Sequence, residues 1–291
     1  MTQMREHGAE TRASAEQESV VRRSPGRVER GGAGRARRVR VGQLVAGVGV
    51  PLAILVTWQV SSDTGLVDPL LFSSPSRAWT AAIEMTKTGV LQYQTWITVR
   101  RMLIGYFIGA ASGIFSGLLL SQSVWLRALF EPLLRALYTV PKLAILPILL
   151  VIFGIGETPK IVFVAVGTFF ITAFASLAAG LRVPDGLLDV ARSHNLSRVS
   201  QFRRVVVPAS LPEVFDGLRL ASGMAVLLVV AVEFVDSSDG IGYVTWQSWQ
   251  NFAADRTYVG IIVVSLVGVL FNAAIGCVAR LVMPWRRHQS D

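Results

Sequence analysis

Very few side chains in this sequence are placed for bond-making chemistry. The single cysteine, Cys277, sits in an apolar run, which excludes a disulfide framework and a Cys-cluster metal site. The three histidines, at positions 7, 194 and 288, have no ligand spacing, so no metal is expected. No Gly-Lys dipeptide occurs, so there is no Gly-x-x-x-x-Gly-Lys loop to cradle a nucleotide phosphate, and a Gly-x-Ser-x-Gly elbow is missing too. An intramembrane enzyme would have to use Glu233, Asp236, Asp239 or His194. The three acids fall at one boundary of an apolar stretch and His194 lies on the other side of it. What remains is a short set of ionisable groups inside apolar sequence: Arg135, Lys142 between Pro141 and Pro147, and Glu233. Such groups face a cavity or a partner when they lie in a bilayer. Lys142 beside a proline break either faces an aqueous path and attracts anions, or snorkels to an interface. Glu233 either lines that path or pairs with a neighbouring helix. Pro141, Lys142 and Glu233 are therefore the candidate pathway residues.

The elements that position these groups are apolar stretches of membrane length. About 20 apolar residues are needed to cross roughly 30 Å of hydrocarbon. Val41–Ser62, Met102–Val124, Ile161–Leu181 and Thr257–Ala279 are free of charge, and two more stretches are interrupted by Arg135, Lys142 and Glu233. Six spans follow, at about 41–62, 102–122, 133–156, 161–181, 218–235 and 257–281. The third should be kinked or broken by Pro141 and Pro147. Composition agrees: 52% of the 291 residues are hydrophobic and 16% charged, against roughly 25% charged in soluble domains. The predicted class is an all-α integral membrane protein.

The formal net charge of +9 marks one side of the bilayer. The first 40 residues carry ten Arg and five Glu, and the remaining 251 contribute only +4. Six spans with the N-terminus inside place 20 of the 28 basic residues on the cytoplasmic face and six on the outer face, with Arg135 and Lys142 at membrane depth. Both termini, 1–40 and 286–291, are then cytoplasmic. The 1–40 tail has no hydrophobic period and reads as disordered. It serves either as topogenic charge against anionic headgroups or as a solvated extension. A nucleic-acid partner is excluded, because the basic excess does not lie over a folded polar surface.

Gly105, Gly109, Gly113 and Gly117 recur every four residues and share one helix face, which lets another backbone approach closely. Gly260, Gly268 and Gly276 repeat the idea more loosely on the last span, with Asn272 in the stripe. Helix packing within one subunit is one reading, and a dimer seam or conduit wall the other.

The longest polar stretch between spans is 182–217. Asp185 after Pro184 suits the N-cap of a short helix carrying Leu187, Leu188 and Ala191, and Asn195 suits an αL turn that ends it. Ser197 then caps a second helix presenting Val199, Phe202 and Val206, which Pro208 should stop. Two short helices at an angle form either a knob for a groove on a soluble partner or a re-entry loop on the headgroups.

At this loop the sequence resembles the permease subunits of bacterial ABC importers. These carry a cytoplasmic signature of Glu-Ala-Ala, three residues, Gly, then a hydrophobic helix ending in Leu-Pro. Asp189, Val190 and Ala191 stand in the first position, Asn195 in that of the Gly, and Phe202-Arg-Arg-Val-Val-Val-Pro208-Ala-Ser-Leu-Pro212 with Gly217-Leu-Arg-Leu follows the tail. Asp189 is shorter than Glu, and Asn195 adopts positive φ less easily than Gly. Further matches are similar to the nitrate, taurine and alkanesulfonate branch: Leu71-Phe-Ser-Ser-Pro75-Ser, Arg101-Met-Leu-Ile-Gly105-Tyr, Thr139-Val-Pro141 with Pro147, and Glu233 with Gly240-Ile-Gly242-Tyr. The resemblance covers about residues 45–285.

It implies a six-helix permease bundle in the bacterial inner membrane with a two-helix cytoplasmic coupling loop at 182–217. Asp189, Ala191, Asn195, Val199, Phe202 and Pro208 would meet an ATPase subunit there. It also implies a second permease subunit, identical or related, and an extracytoplasmic binding protein that delivers a small solute, with a sulfonate-, nitrate- or taurine-like anion expected. ATP and Mg would be held by the partner ATPases, two per complex, and no cofactor by this chain. The alternatives from other classes are the scaffold subunit of a vitamin-type importer and the intramembrane enzyme.

Overall fold

The computed structural model describes residues 47, 49–68 and 71–284. The 1–40 tail, most of 41–48 and the 286–291 end lie outside the described residues. The chain divides into Met1–Val60 and Ser61–Asp291. In the first unit residues 49–60 are helical, and that helix (α1) runs to residue 63. All further elements belong to the second unit.

These are α2 (Pro75–Lys87), α3 (Val90–Ser121), α4 (Val124–Thr139), α5 (Lys142–Phe153), α6 (Glu157–Leu181), α7 (Asp185–Ser193), α8 (Arg198–Gln201), α9 (Val207–Val235), α10 (Ile241–Gln250) and α11 (Ala254–Val282). Strands are absent among the described residues. The fold class is that of an all-helical membrane bundle. Among the described residues four helices are long and apolar enough to cross a membrane: α3, α6, the continuous helix Arg198–Val235, and α11.

The core is the α3–α6 pair. An ideal Cβ at Gly105 would stand 2.8 Å from the Ile161 carbonyl oxygen, and one at Gly113 2.6 Å from that of Phe169. At Gly109 and Gly117 it would run into the carbonyls of Ala165 and Ala173. The obstacles are backbone and cannot rotate away, so only glycine allows this approach. Opposite the glycines, α6 presents Thr168, Thr172 and Ser176, all buried and one turn apart. The Thr172 hydroxyl donates to its own turn at Thr168 O, 2.9 Å away. The last-span glycines divide differently: Gly260 meets Thr245 of α10, while Gly268 and Gly276 meet Val226 and Arg219 of α9.

The span expected at 133–156 is not one helix. α4 and α5 meet at a bend of 98°. Val140 is extended (φ −64°, ψ 128°) because the Pro141 ring disfavours the helical region for the residue before it. Pro147 and Pro132 lie inside helices that continue past them. Twelve residues of α5 reach only about 18 Å, too short to span alone. The 102–122 and 218–235 spans are parts of longer helices, the latter a run of 38 residues from Arg198.

Pro208 does not stop the second loop helix. A π turn at Phe202–Val206 joins α8 to α9, and Pro208 falls in the first turn of α9. The wide turn opens space where the proline ring would strike the carbonyl four residues back, so the helix passes through. Asp185 is the first helical residue of α7 rather than its cap, a role that falls to Pro184. As an acid in the first turn it complements the helix dipole.

Replacing Gly109 by Leu should therefore destabilise the protein by about 3 kcal/mol, the upper part of the overpacking range. Gly268→Ala should be nearly silent, because its Cβ would meet only Val226, at an ordinary 3.7 Å. Thermal unfolding of the detergent-solubilised protein measures both, and equal effects would reject the close-approach account.

Candidate functional site

Three features stand out: a knob at one end of the bundle, a groove along it, and a buried ionic cluster at the other end.

The knob is α7, its closing turn and the π turn. Asn195 has φ +52°, and α7 closes with Leu196 N donating to Ala191 O (3.1 Å) and Asn195 N to Arg192 O (2.9 Å). This is the paired Schellman arrangement, with Asn where Gly is commonest. Ser197 Oγ accepts from Ser200 N at 3.3 Å and starts α8. Between α7 and the start of α9 lies a depression of about 570 Å³, with Ala191 and Leu196 on one side and Val205 and Pro208 on the other. Ala191 is buried, whereas Leu187 and Val190 are half exposed on the same helix. Asp189 is exposed and pairs with Arg192 at 3.0 Å. Val199 is 68% exposed, and Phe202 opens the π turn. The six residues singled out for this segment thus lie on one compact projection carrying uncovered apolar side chains.

The groove lies between α4, α6 and α9 and encloses about 970 Å³. Tyr138, Phe174, Leu220, Met224 and Leu227 line it, with Arg135 and Glu131 at one side. Arg135 donates to Glu131 at 2.5 Å and lies over the Phe174 ring at 5.6 Å. None of the α4 residues is buried, so one flank of the groove is open.

Lys142 does not point into the groove as a free cation. Its Nζ donates to the carbonyls of Tyr138 and Val140, the latter at 3.1 Å, and sits over the rings of Tyr138 (4.8 Å) and Phe170 (5.3 Å). The break at Pro141 strands the last carbonyls of α4, and in lipid an unmatched carbonyl is costly. Lys142 bonds two of them and so closes the bend. Pro141 makes the break.

Glu233 turns inward. Its side chain is fully buried and accepts from Arg101 (2.9 Å), from Thr98 Oγ1 (2.8 Å) and from the Gly242 amide (2.9 Å). Arg101, also fully buried, is the hub: it pairs in addition with Glu157 and Asp239 and donates to Asp239 O at 2.9 Å. The glycines at 240 and 242 fit against the Glu233 carboxylate, where a Cβ would collide with it. With its carboxylate fully buried and taken up by these donors, Glu233 serves the internal cluster. The grouped acids, Glu233 and Asp239, are occupied by one guanidinium and offer no free proton-transfer pair.

Charge counting alone puts Arg101 among the outer-face basic residues, gives Asp239 only as an acid at the boundary of an apolar stretch, and does not single out Thr98 or Glu157. A signal was present. Arg101 falls four residues before Gly105, on the glycine stripe itself, so the face that meets α6 ends in a cation.

The described residues thus form a helical membrane bundle with four membrane-length helices, one bent pair and an exposed projection between helices. Residues 106–288 match the family of binding-protein-dependent transport system inner membrane components, and the chain belongs to that family. It is similar to SsuC of Bacillus subtilis (strain 168), a permease protein named for aliphatic sulfonates transport, with 30% identity and 92% of each chain covered. NrtB of Leptolyngbya laminosa, a nitrate import permease protein, is 35% identical over 67% of this chain and 70% of its own length. Among solved structures, a chain of the MetNI methionine ABC transporter in an inward-facing conformation superposes with a TM-score of 0.58 and 21% identity. It covers 64% of this chain and 93% of its own, a likeness of fold.

Arg101→Gln leaves Glu233 buried and unpaired and should cost about 3–5 kcal/mol. The double variant Arg101→Gln with Glu233→Gln should recover much of that loss. Strictly additive unfolding energies would show that the pair is not coupled. For Lys142→Met, two carbonyls lose their donor and the bend should loosen at a cost of about 1–3 kcal/mol. Spin-label distances between α4 and α5 should broaden, and an unchanged distribution would rule out the closing role.

Proposed function

We propose that this permease forms half of a translocation pathway for a small organic anion of the sulfonate class and is driven by a separate ATPase that grips the α7 knob. The carrying observation is the knob itself, a capped projection whose apolar side chains Leu187, Val190 and Val199 are about half exposed or more. Exposed apolar groups on a polar segment are the mark of a docking surface. The positive-inside balance puts this end in the cytoplasm and the Arg101 cluster at the outer end.

The groove supports the pathway reading. Its open α4 flank needs a second permease subunit to become a conduit, and an identical copy is the simplest supplier. The α8–α9 helix, one piece of 38 residues or about 57 Å, connects knob and groove without a hinge other than its π turn. Closure of the ATPase pair around bound ATP and Mg would then reach the groove as a helix-bundle movement. An extracytoplasmic binding protein would supply the solute at the outer end. The sulfonate class rests on the named relatives and on the largely apolar wall facing Arg135, which suits an anion with an organic body.

Ala191→Glu puts a charge into the depression without touching the bundle core. Co-purification of the ATPase subunit with the permease should fall by about tenfold or more, while the permease still extracts as a folded protein. Undiminished association would reject the docking assignment.

A further inference from the structure

Arg219 is the one ionisable residue of α9 within membrane sequence that the preceding account leaves without a task. It is half-buried, and its Nε is buried with no hydrogen-bond partner among the described residues. Arginine is always charged, so an unmatched guanidinium here calls for an anion.

The surroundings say where the anion comes from. Arg219 lies 14 residues before Glu233, about 21 Å along the helix. Its own carbonyl is level with Asn272 of α11, whose Nδ2 approaches it at 3.5 Å, and Asn272 also approaches Ser222 Oγ at 3.4 Å. The guanidinium is one turn further toward the end of α11, against Gly276, where an ideal Cβ would stand 2.9 Å from Nη2. The side chain therefore leans along the helix axes toward the α7 end of the molecule. That direction follows from the N-terminal tilt of helical side chains and is the lean of a snorkelling arginine. Arg280 is exposed another turn along the Gly276 stripe.

This place is not the groove. Leu220, Gly223, Met224 and Leu227 line the groove, whereas Arg219, Ser222 and Val226 face α11. α11 is the least covered of the long helices, with 6% of its apolar window buried and Leu266, Val269, Leu270, Val278 and Leu281 exposed. Acyl chains can lie along that face while a headgroup reaches the arginine. We propose that Arg219, with Gly276 leaving room for it, holds the phosphate of an anionic phospholipid between α9 and α11. The guanidinium fork matches a phosphodiester in shape and charge. The orientation proposed above makes this the inner leaflet, and the site itself does not depend on it.

The test uses the assembled transporter in nanodiscs of phosphatidylcholine with or without phosphatidylglycerol, with retained lipid counted by native mass spectrometry after release. Wild type should keep phosphatidylglycerol over phosphatidylcholine by about tenfold, and Arg219→Gln should abolish that preference. Gly276→Leu, which keeps the charge and fills its space, should weaken it, so the result does not hinge on one variant. An undiminished preference in Arg219→Gln would overturn the proposal. In phosphatidylcholine-only discs, inorganic phosphate should give no Arg219-dependent thermal shift; a shift as large as that from phosphatidylglycerol would assign free phosphate and overturn the lipid. No readout involves ATP or cargo, so failure here leaves the transport reading untouched.

Discussion

The close approach of α3 and α6 is the constraint on which the rest of the molecule depends. Two helix backbones come into contact because every fourth residue of α3, from Gly105 to Gly117, lacks a side chain. In lipid there is little hydrophobic gain from pairing helices, so close packing must supply the attraction. The same register fixes the chemistry at the end of the pair. Arg101 is one turn before Gly105 and Glu157 one turn before Ile161, so the contact that starts as backbone on backbone finishes as an ion pair. From there Arg101 reaches Glu233 and Asp239 and ties in the end of α9 and the turn into α10.

Charge within the apolar region is handled in three ways. Arg101 and Glu233 neutralise one another under full burial, which a low-dielectric interior tolerates only when every lone pair and proton is used. Thr98 and the Gly242 amide supply the remaining partners of the carboxylate. Lys142 is spent on carbonyls that Pro141 orphans, so a proline and a lysine adjacent in sequence act as break and seal. Arg135 is held by Glu131 and by an aromatic face beside the groove. Arg219 differs from all three, because the fold makes room for its guanidinium while no described residue accepts from its Nε.

Much of this was legible before any coordinates. The apolar lengths marked four of the spanning helices, Pro141 marked the break of the bent pair, and Asn195 and Ser197 marked the turn and cap of the knob. The π turn that lets α8 run through Pro208 was not legible. A proline reads as a stop when only its missing donor and its ring are considered, and nothing local to 202–208 announces that the preceding turn widens. The role of Glu233 was equally hidden. An acid at the end of an apolar run is compatible with a path or a partner, and the partner, Arg101, stands 132 residues away.

The sequence by itself determined the class of protein, the four membrane-length helices, the glycine face and the break at Pro141, since each follows from composition or from spacing along one helix. Only the tertiary structure decided which ionisable groups meet. Those meetings join residues far apart in the chain and are set by the register of helix on helix, which in turn depends on a backbone distance that four glycines permit.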